Sequence, residues 1–109
     1  MRSIIAAEPP RVSFQPSSLP AEAKSLTISY HGATGPLAGA KRVSLHHGHD
    51  GWNDTVDTEM TRLEADEWEL RLEVPPTSDR INLCFTDGSK WDNNSGRDWN
   101  YITRKPAAP

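Results

Sequence analysis

The chain predicts an all-β domain, an immunoglobulin-like antiparallel β-sandwich, and three observations in its 109 residues predict it. Short stretches alternate apolar and polar residues with period two, as half-buried strands do. Clusters of Gly, Pro, Asn and Asp separate these stretches at short intervals and supply turns. No segment demands a long helix, so about seven strands must bury their apolar faces by packing sheet on sheet.

Taken in order, RVSFQ is a weak first strand, and SLTISY offers Leu26, Ile28 and Tyr30 to one side. KRVSLHH sends Val43, Leu45 and His47 inward and leaves Ser44 and His46 on the opposite face. TVDTEMTRLEADE is ambiguous: Val56, Met60 and Leu63 have helical spacing, yet Thr58, Met60 and Arg62 also read as an edge strand. EWELRLEV is the plainest strand, with Trp68, Leu70, Leu72 and Val74 opposite Glu67, Glu69, Arg71 and Glu73. Pro75-Pro76 stops it by removing two ladder donors. RINLCF turns Ile81, Leu83 and Phe85 inward, TDGSK supplies the Asp-Gly of a tight turn, and WNYITR is a weak last strand. The expected organisation is an N-terminal linker or extension at 1–10, one β-sandwich module at 11–104 and a Pro/Ala-rich tail at 105–109.

Composition narrows the function classes. A net charge of −3 and a pI near 5.7 give no basic surface for a nucleic-acid backbone and no polybasic anchor for anionic lipid, so neither nucleic acid nor membrane is expected as a partner. Cys84 is the single cysteine, which excludes an internal disulfide and a thiolate zinc cluster and leaves it a packing role. No run approaches the ~20 apolar residues of a membrane span, and MRSIIAAEPP lacks the apolar core of a secretory signal. The compartment stays open; a secreted parent enzyme would place the module outside the cell.

The unusual feature is 4 tryptophans against 2 tyrosines and 2 phenylalanines. Trp68 alternates with leucines and belongs to the core. Trp52 and Trp91 instead follow the glycine-containing turns HGHDG and DGSK, where loops carry function. Polar residues flank both: Asn53 and Asp54 after the first, Asp92, Asn93 and Asn94 after the second. An aromatic plane beside amides and carboxylates suits a sugar, whose apolar C–H face stacks on indole while its hydroxyl rim pairs with Asn, Asp and His.

RVSLHHGHDGW, WELRLEVPP and INLCFTDGSKWDNNSGRDW together resemble the family 25 carbohydrate-binding modules and the closely similar family 53 modules, over roughly Ser25 to Tyr101. The resemblance implies a non-catalytic, starch-binding β-sandwich without cofactor, joined to an amylase-type enzyme, that holds α-1,4-glucan on two tryptophans and a histidine. Carried onto this chain, it makes His46, Trp52 and Trp91 the binding rings and sets Asn93 and Asn94 beside the ligand. His47 and Trp99 stand where such modules often have tyrosine, which implies packing roles. Asp98 stands where asparagine is more usual, which puts the local hydrogen bonding in question. The resemblance also tips TEMTRLE towards strand.

Three rival readings fare worse. A metal site at HHGH fails because neighbouring strand residues point to opposite faces, and the calcium-loop likeness starting at Asp92 has Thr103 where a bidentate glutamate is needed. A glycosidase needs one carboxyl buried to raise its pKa, whereas Glu59, Glu64, Asp66, Glu67, Glu69 and Glu73 fall mainly on polar strand faces or in a turn. The strongest alternative is a protein-interaction domain of immunoglobulin or fibronectin type, with its aromatic loops gripping another protein. The sequons at Asn53 and Asn93 abut the candidate rings, and a glycan there would obstruct them.

Overall fold

A computed structural model describes residues 11–16, 24–74 and 79–103. The expected linker 1–10, the tail 105–109 and the Pro75-Pro76 strand stop lie outside the described residues. The described residues form nine strands: β1 (Val12–Gln15), β2 (Ser25–His31), β3 (Ser44–His49), β4 (Asn53–Glu59), β5 (Thr61–Glu64), β6 (Glu67–Glu73), β7 (Arg80–Thr86), β8 (Trp91–Asp92) and β9 (Trp99–Ile102). One antiparallel sheet has the order β1-β2-β6-β5, and the other the order β4-β3-β7-β8 with β9 also on β7. The expected all-β sandwich is the observed fold. Among the described residues, the single 3-10 turn Gly32–Thr34 is the only helical element, and no helix is long and apolar enough to cross a membrane.

Alternation decides what each strand buries. Leu26, Ile28 and Tyr30 of β2, Trp68 of β6, Leu45 of β3 and Leu83 and Phe85 of β7 fill the space between the sheets. Tyr30 and Phe85 stack across it, with centroids 4.2 Å apart and planes at 19°. The ambiguous segment 55–67 contains no helix: it runs along β4 and β5 and turns at Ala65 and Asp66 into β6. Met60, the one buried member of its helical-spacing trio, is where the chain leaves the β4 sheet and enters the β5 sheet; Val56 and Leu63 are exposed. That switch, and the division of the last edge into β8 and β9, account for nine strands where about seven were expected. β7 also departs from simple alternation: Asn82, Cys84 and Thr86, on its outward face, are buried, as are the core residues between them. Both of its edges are paired, and the 50–52 turn hydrogen-bonds to the Asn82 side chain on the outer face.

Asp92 is placed otherwise than its sequence neighbours suggest. It pairs with Phe85, so its side chain faces inward and is 1% exposed. Arg11 reaches it from the other sheet through Nε at 2.9 Å and Nη2 at 3.2 Å, and the Tyr30 hydroxyl donates to Oδ2 at 2.5 Å. The backbone N–H of Asn94 donates to Oδ1 at 3.2 Å. Burial together with the hydrogen bond to Asp92 holds the Tyr30 hydroxyl well above the usual phenol range. A buried carboxylate persists only when so surrounded.

Arg11→Met leaves that carboxylate without its countercharge. Because the Arg11 side chain is 25% exposed, the loss falls at about 3 kcal/mol, the low end for a broken buried pair. Tyr30→Phe removes one neutral donor and costs about 1–3 kcal/mol. Both are measured as a lowered urea midpoint at unchanged m-value.

Candidate functional site

The register of the second sheet assembles one outward face. Asp57, His46 and Cys84 lie side by side across β4, β3 and β7; Ser44, Thr86 and Trp91 form the next row; Gly48, Asn82 and Asn100 form the row on the other side. His46 therefore sits at the centre of a sheet face while His47, one residue on, points the other way, as strand parity requires. Trp91 is the first residue of β8 and 48% exposed. The face thus lies on the sheet itself, and of the three candidate rings only Trp52 joins it from a turn.

Three rings meet there. The imidazole of His46 stacks against the Trp52 indole, centroids 5.4 Å apart and planes at 27°. It meets Trp91 edge-on at 5.3 Å and 84°. Planes tilted by 27° and 84° from a common third plane cannot lie nearer parallel than the difference, about 57°, so the indoles are steeply inclined to each other. His46 Nδ1 contacts Asp57 Oδ1. A carboxylate only accepts, so Nδ1 carries the proton there and the neutral ring presents Nε2 as an acceptor.

Trp52 enters the face through the turn after β3. Gly48, at the irregularity between β3 and β4, lets the turn fold back closely: a Cβ there would lie 2.9 Å from the Asn53 carbonyl and 3.0 Å from the Trp52 Cα. Asp50 Oδ1 accepts from the N–H groups of Asp79 and Arg80 at 2.8 and 3.1 Å, which holds its carboxyl below the usual carboxylate range.

Asn93 and Asn94 open the loop between β8 and β9. The Asn93 carbonyl accepts from the Asp98 N–H at 2.7 Å, and its Oδ1 accepts from the Gly96 N–H at 3.0 Å. Asn94 Nδ2 donates to the Asp98 carbonyl at 3.2 Å. Both amides therefore have local partners, and each retains one polar atom, Nδ2 of Asn93 and Oδ1 of Asn94, without a partner among the described residues. Asp98 takes part through its backbone, so the loop forms with aspartate there. His47 lies half-buried with Nε2 2.9 Å from Thr58 Oγ1, and Trp99 packs edge-on against Phe85 at 5.4 Å.

Sequence reasoning missed Asp57, Asn82 and the inward turn of Asp92. A lone amide inside the apolar run RINLCF was the available signal for Asn82; Asp57 stood in the ambiguous segment and Asp92 in a strand of two residues.

A family model described as a starch/carbohydrate-binding module, family 53, matches residues 26–83. The chain belongs to that family. Of the two families it resembles in sequence, the match falls on family 53, a non-catalytic class of domain. The module is 36% identical over 93 residues to an alpha-amylase of Clostridium acetobutylicum, covering 85% of this chain and 12% of that protein. It is 26% identical over 98 residues to soluble starch synthase 3, chloroplastic/amyloplastic, of Solanum tuberosum, covering 81% of this chain and 8% of that protein. It spans about a tenth of the length of these relatives.

Burial lowers the pKa of His47, the proximity of His46 adding to the effect. The folded module thus resists a proton that the unfolded chain accepts. His47 costs no stability above the ordinary histidine value near 6.5, and stability is lost as pH falls from there to the lowered folded-state value. Urea midpoints between pH 7.5 and 5 fall more steeply for the native module than for His47→Gln.

Proposed function

We propose that the module binds α-1,4-glucan, as starch, glycogen or malto-oligosaccharide, with Trp52 and Trp91 stacking on successive glucose units. His46 accepts from a sugar hydroxyl through Nε2, and Asn93 and Asn94 bond hydroxyls beside Trp91 through their remaining polar atoms. The observation that carries this reading is the steep mutual inclination of two indoles about one imidazole. A β-1,4-glucan is a flat ribbon and needs platforms in one plane, whereas the axial linkage of an α-1,4-glucan turns each glucose against the last and so presents inclined faces. The likeness to family 25 modules, in which two tryptophans and a histidine hold such a chain, supports the same assignment.

The magnitudes suit polymer binding. If each indole covers ~50–80 Å² of apolar sugar face at ~25 cal/mol/Å², one platform contributes about 1–2 kcal/mol. Two platforms and a few hydrogen bonds, less the costs of association, place Kd at roughly micromolar to millimolar. The module would act as part of an amylolytic or otherwise starch-active enzyme, since its relatives carry it as a small fraction of such chains. Tethering then raises the effective concentration of the catalytic domain on the polysaccharide.

Retardation in native gels containing soluble starch, compared with gels containing a cellulose derivative, tests the reading. The native module is retarded by starch alone, and Trp52→Ala and Trp91→Ala each lose most of the retardation while unfolding cooperatively. Titration calorimetry with maltoheptaose and cellohexaose gives heat for the first only. Unchanged mobility in every polysaccharide gel would support the protein-interaction alternative.

A further inference from the structure

The Trp52 platform rests on a backbone conformation that its own residues disfavour. Asp50, Trp52 and Asp54 have φ values of 50°, 68° and 52°, with Gly51 at 94° among them. A non-glycine residue in this region crowds its Cβ against the backbone and persists only where its surroundings over-determine it. Asp50 staples the start of the turn to Asp79 and Arg80, but none of those bonds reaches Trp52.

The group that does reach Trp52 is the side-chain amide of Asn82, on the outward face of β7 and 4% exposed. Its Oδ1 accepts from the backbone N–H of Trp52 at 2.7 Å and of Gly51 at 3.0 Å. Its Nδ2 donates to Asn100 Oδ1 at 2.7 Å. Two converging N–H groups require an oxygen at one end of the amide, and a carbonyl acceptor requires the NH2 at the other, so the side chain has one orientation. Among the described residues, no other side chain hydrogen-bonds to the Trp52 backbone.

We propose that Asn82 is a positioning residue of the glucan-binding face: it locks Trp52 in the left-handed conformation that lays the indole along His46, so that the face is assembled before ligand arrives. The inference rests on the reading of Trp52 as a platform. Buried beneath the turn, Asn82 acts only through the tryptophan. The order that binding would otherwise impose on the turn is established during folding, and affinity rises by that amount.

Amide hydrogen exchange on the free native module is the first measurement. The Gly51 and Trp52 N–H groups exchange slowly; exchange at the rate of exposed loop amides overturns the proposal. The second uses modules labelled with 5-fluorotryptophan, comparing native protein, Asn82→Ala, Asn82→Asp and Trp52→Ala by fluorine NMR and by calorimetry with maltoheptaose. Asn82→Ala shifts or broadens the Trp52 line, leaves the Trp68 line in place and weakens binding ~10-fold or more. Asn82→Asp keeps an oxygen for both N–H groups and restores the Trp52 line and most of the affinity. A folded Asn82→Ala module that binds as the native one does overturns the proposal, and so does one that loses binding with the Trp52 line unmoved. A folded Asn82→Asp module with the Trp52 line displaced overturns it as well. If Asn82→Ala does not fold, native-state exchange and the aspartate variant decide. Trp52→Ala separates the two levels: native-like binding by that variant refutes the platform reading itself, whereas lost binding there with intact binding in Asn82→Ala refutes the positioning role alone.

Discussion

The carboxylate of Asp92 is the constraint around which the molecule is arranged. An ionised group between two sheets is tolerable only if its lone pairs are met, and here two distant parts of the chain meet them, Arg11 from before β1 and Tyr30 from β2, together with the nearby Asn94 N–H from the loop that follows. A displacement of either sheet would break a charge-assisted bond in a low-dielectric interior, where its loss is most expensive. The ion pair thus adds a directional constraint to the close apolar packing between the sheets. It also fixes β8, which is too short to hold its place by ladder bonds alone. Since Asp92 must point in, Trp91 must point out.

The same parity argument extends across the face. His46, Cys84 and Asp57 stand in one row because antiparallel register aligns them, and Trp91 stands in the next. Once register is set by the core residues Leu45, Phe85 and Leu83, the outward residues follow with no freedom of their own. Trp52 lies outside this scheme. Its position comes from a turn that a buried amide holds down, so the face combines one ring placed by register at a sheet edge, one at its centre, and one placed by a side-chain clamp.

How much of this was legible depends on how local each cause is. The separation of His46 from His47 and the buried fate of Trp68 could be read directly, because five or more alternating residues state a period. Trp91 and Asp92 give no period at all; an aspartate next to an asparagine pair looks solvent-facing until Arg11, 81 positions away, is known to meet it. Asp57 was hidden because the segment around it satisfies helical and extended patterns alike, and the choice was made by β3, which pairs with it along its length. Asn82 stood in plain view as one amide in an apolar run, but its task depends on a turn folding back over the strand, which is a tertiary event. His46 was expected on a strand and lies on one; of the two tryptophans expected on loops, Trp52 does come from a turn, whereas Trp91 opens β8.

A face built this way has a consequence for the forces it can use. The carboxylates nearby, Asp57, Glu59, Asp50 and Asp54, together with the overall negative charge, rule out recognition by long-range attraction to an anion. A glucan is neutral, so this charge does not oppose it. In the proposed mode of binding, what remains are short-range terms, indole against C–H face and single hydrogen bonds, and each is worth little unless the groups are already in position. Weak contacts and a rigid face therefore belong together: a flexible pair of tryptophans would consume in ordering most of what two sugar stacks supply, whereas rings held by register, by Asp92 and by Asn82 keep it. For a ligand that is a long repeating polymer, many equivalent registers on the chain then compensate for the modest strength of any one.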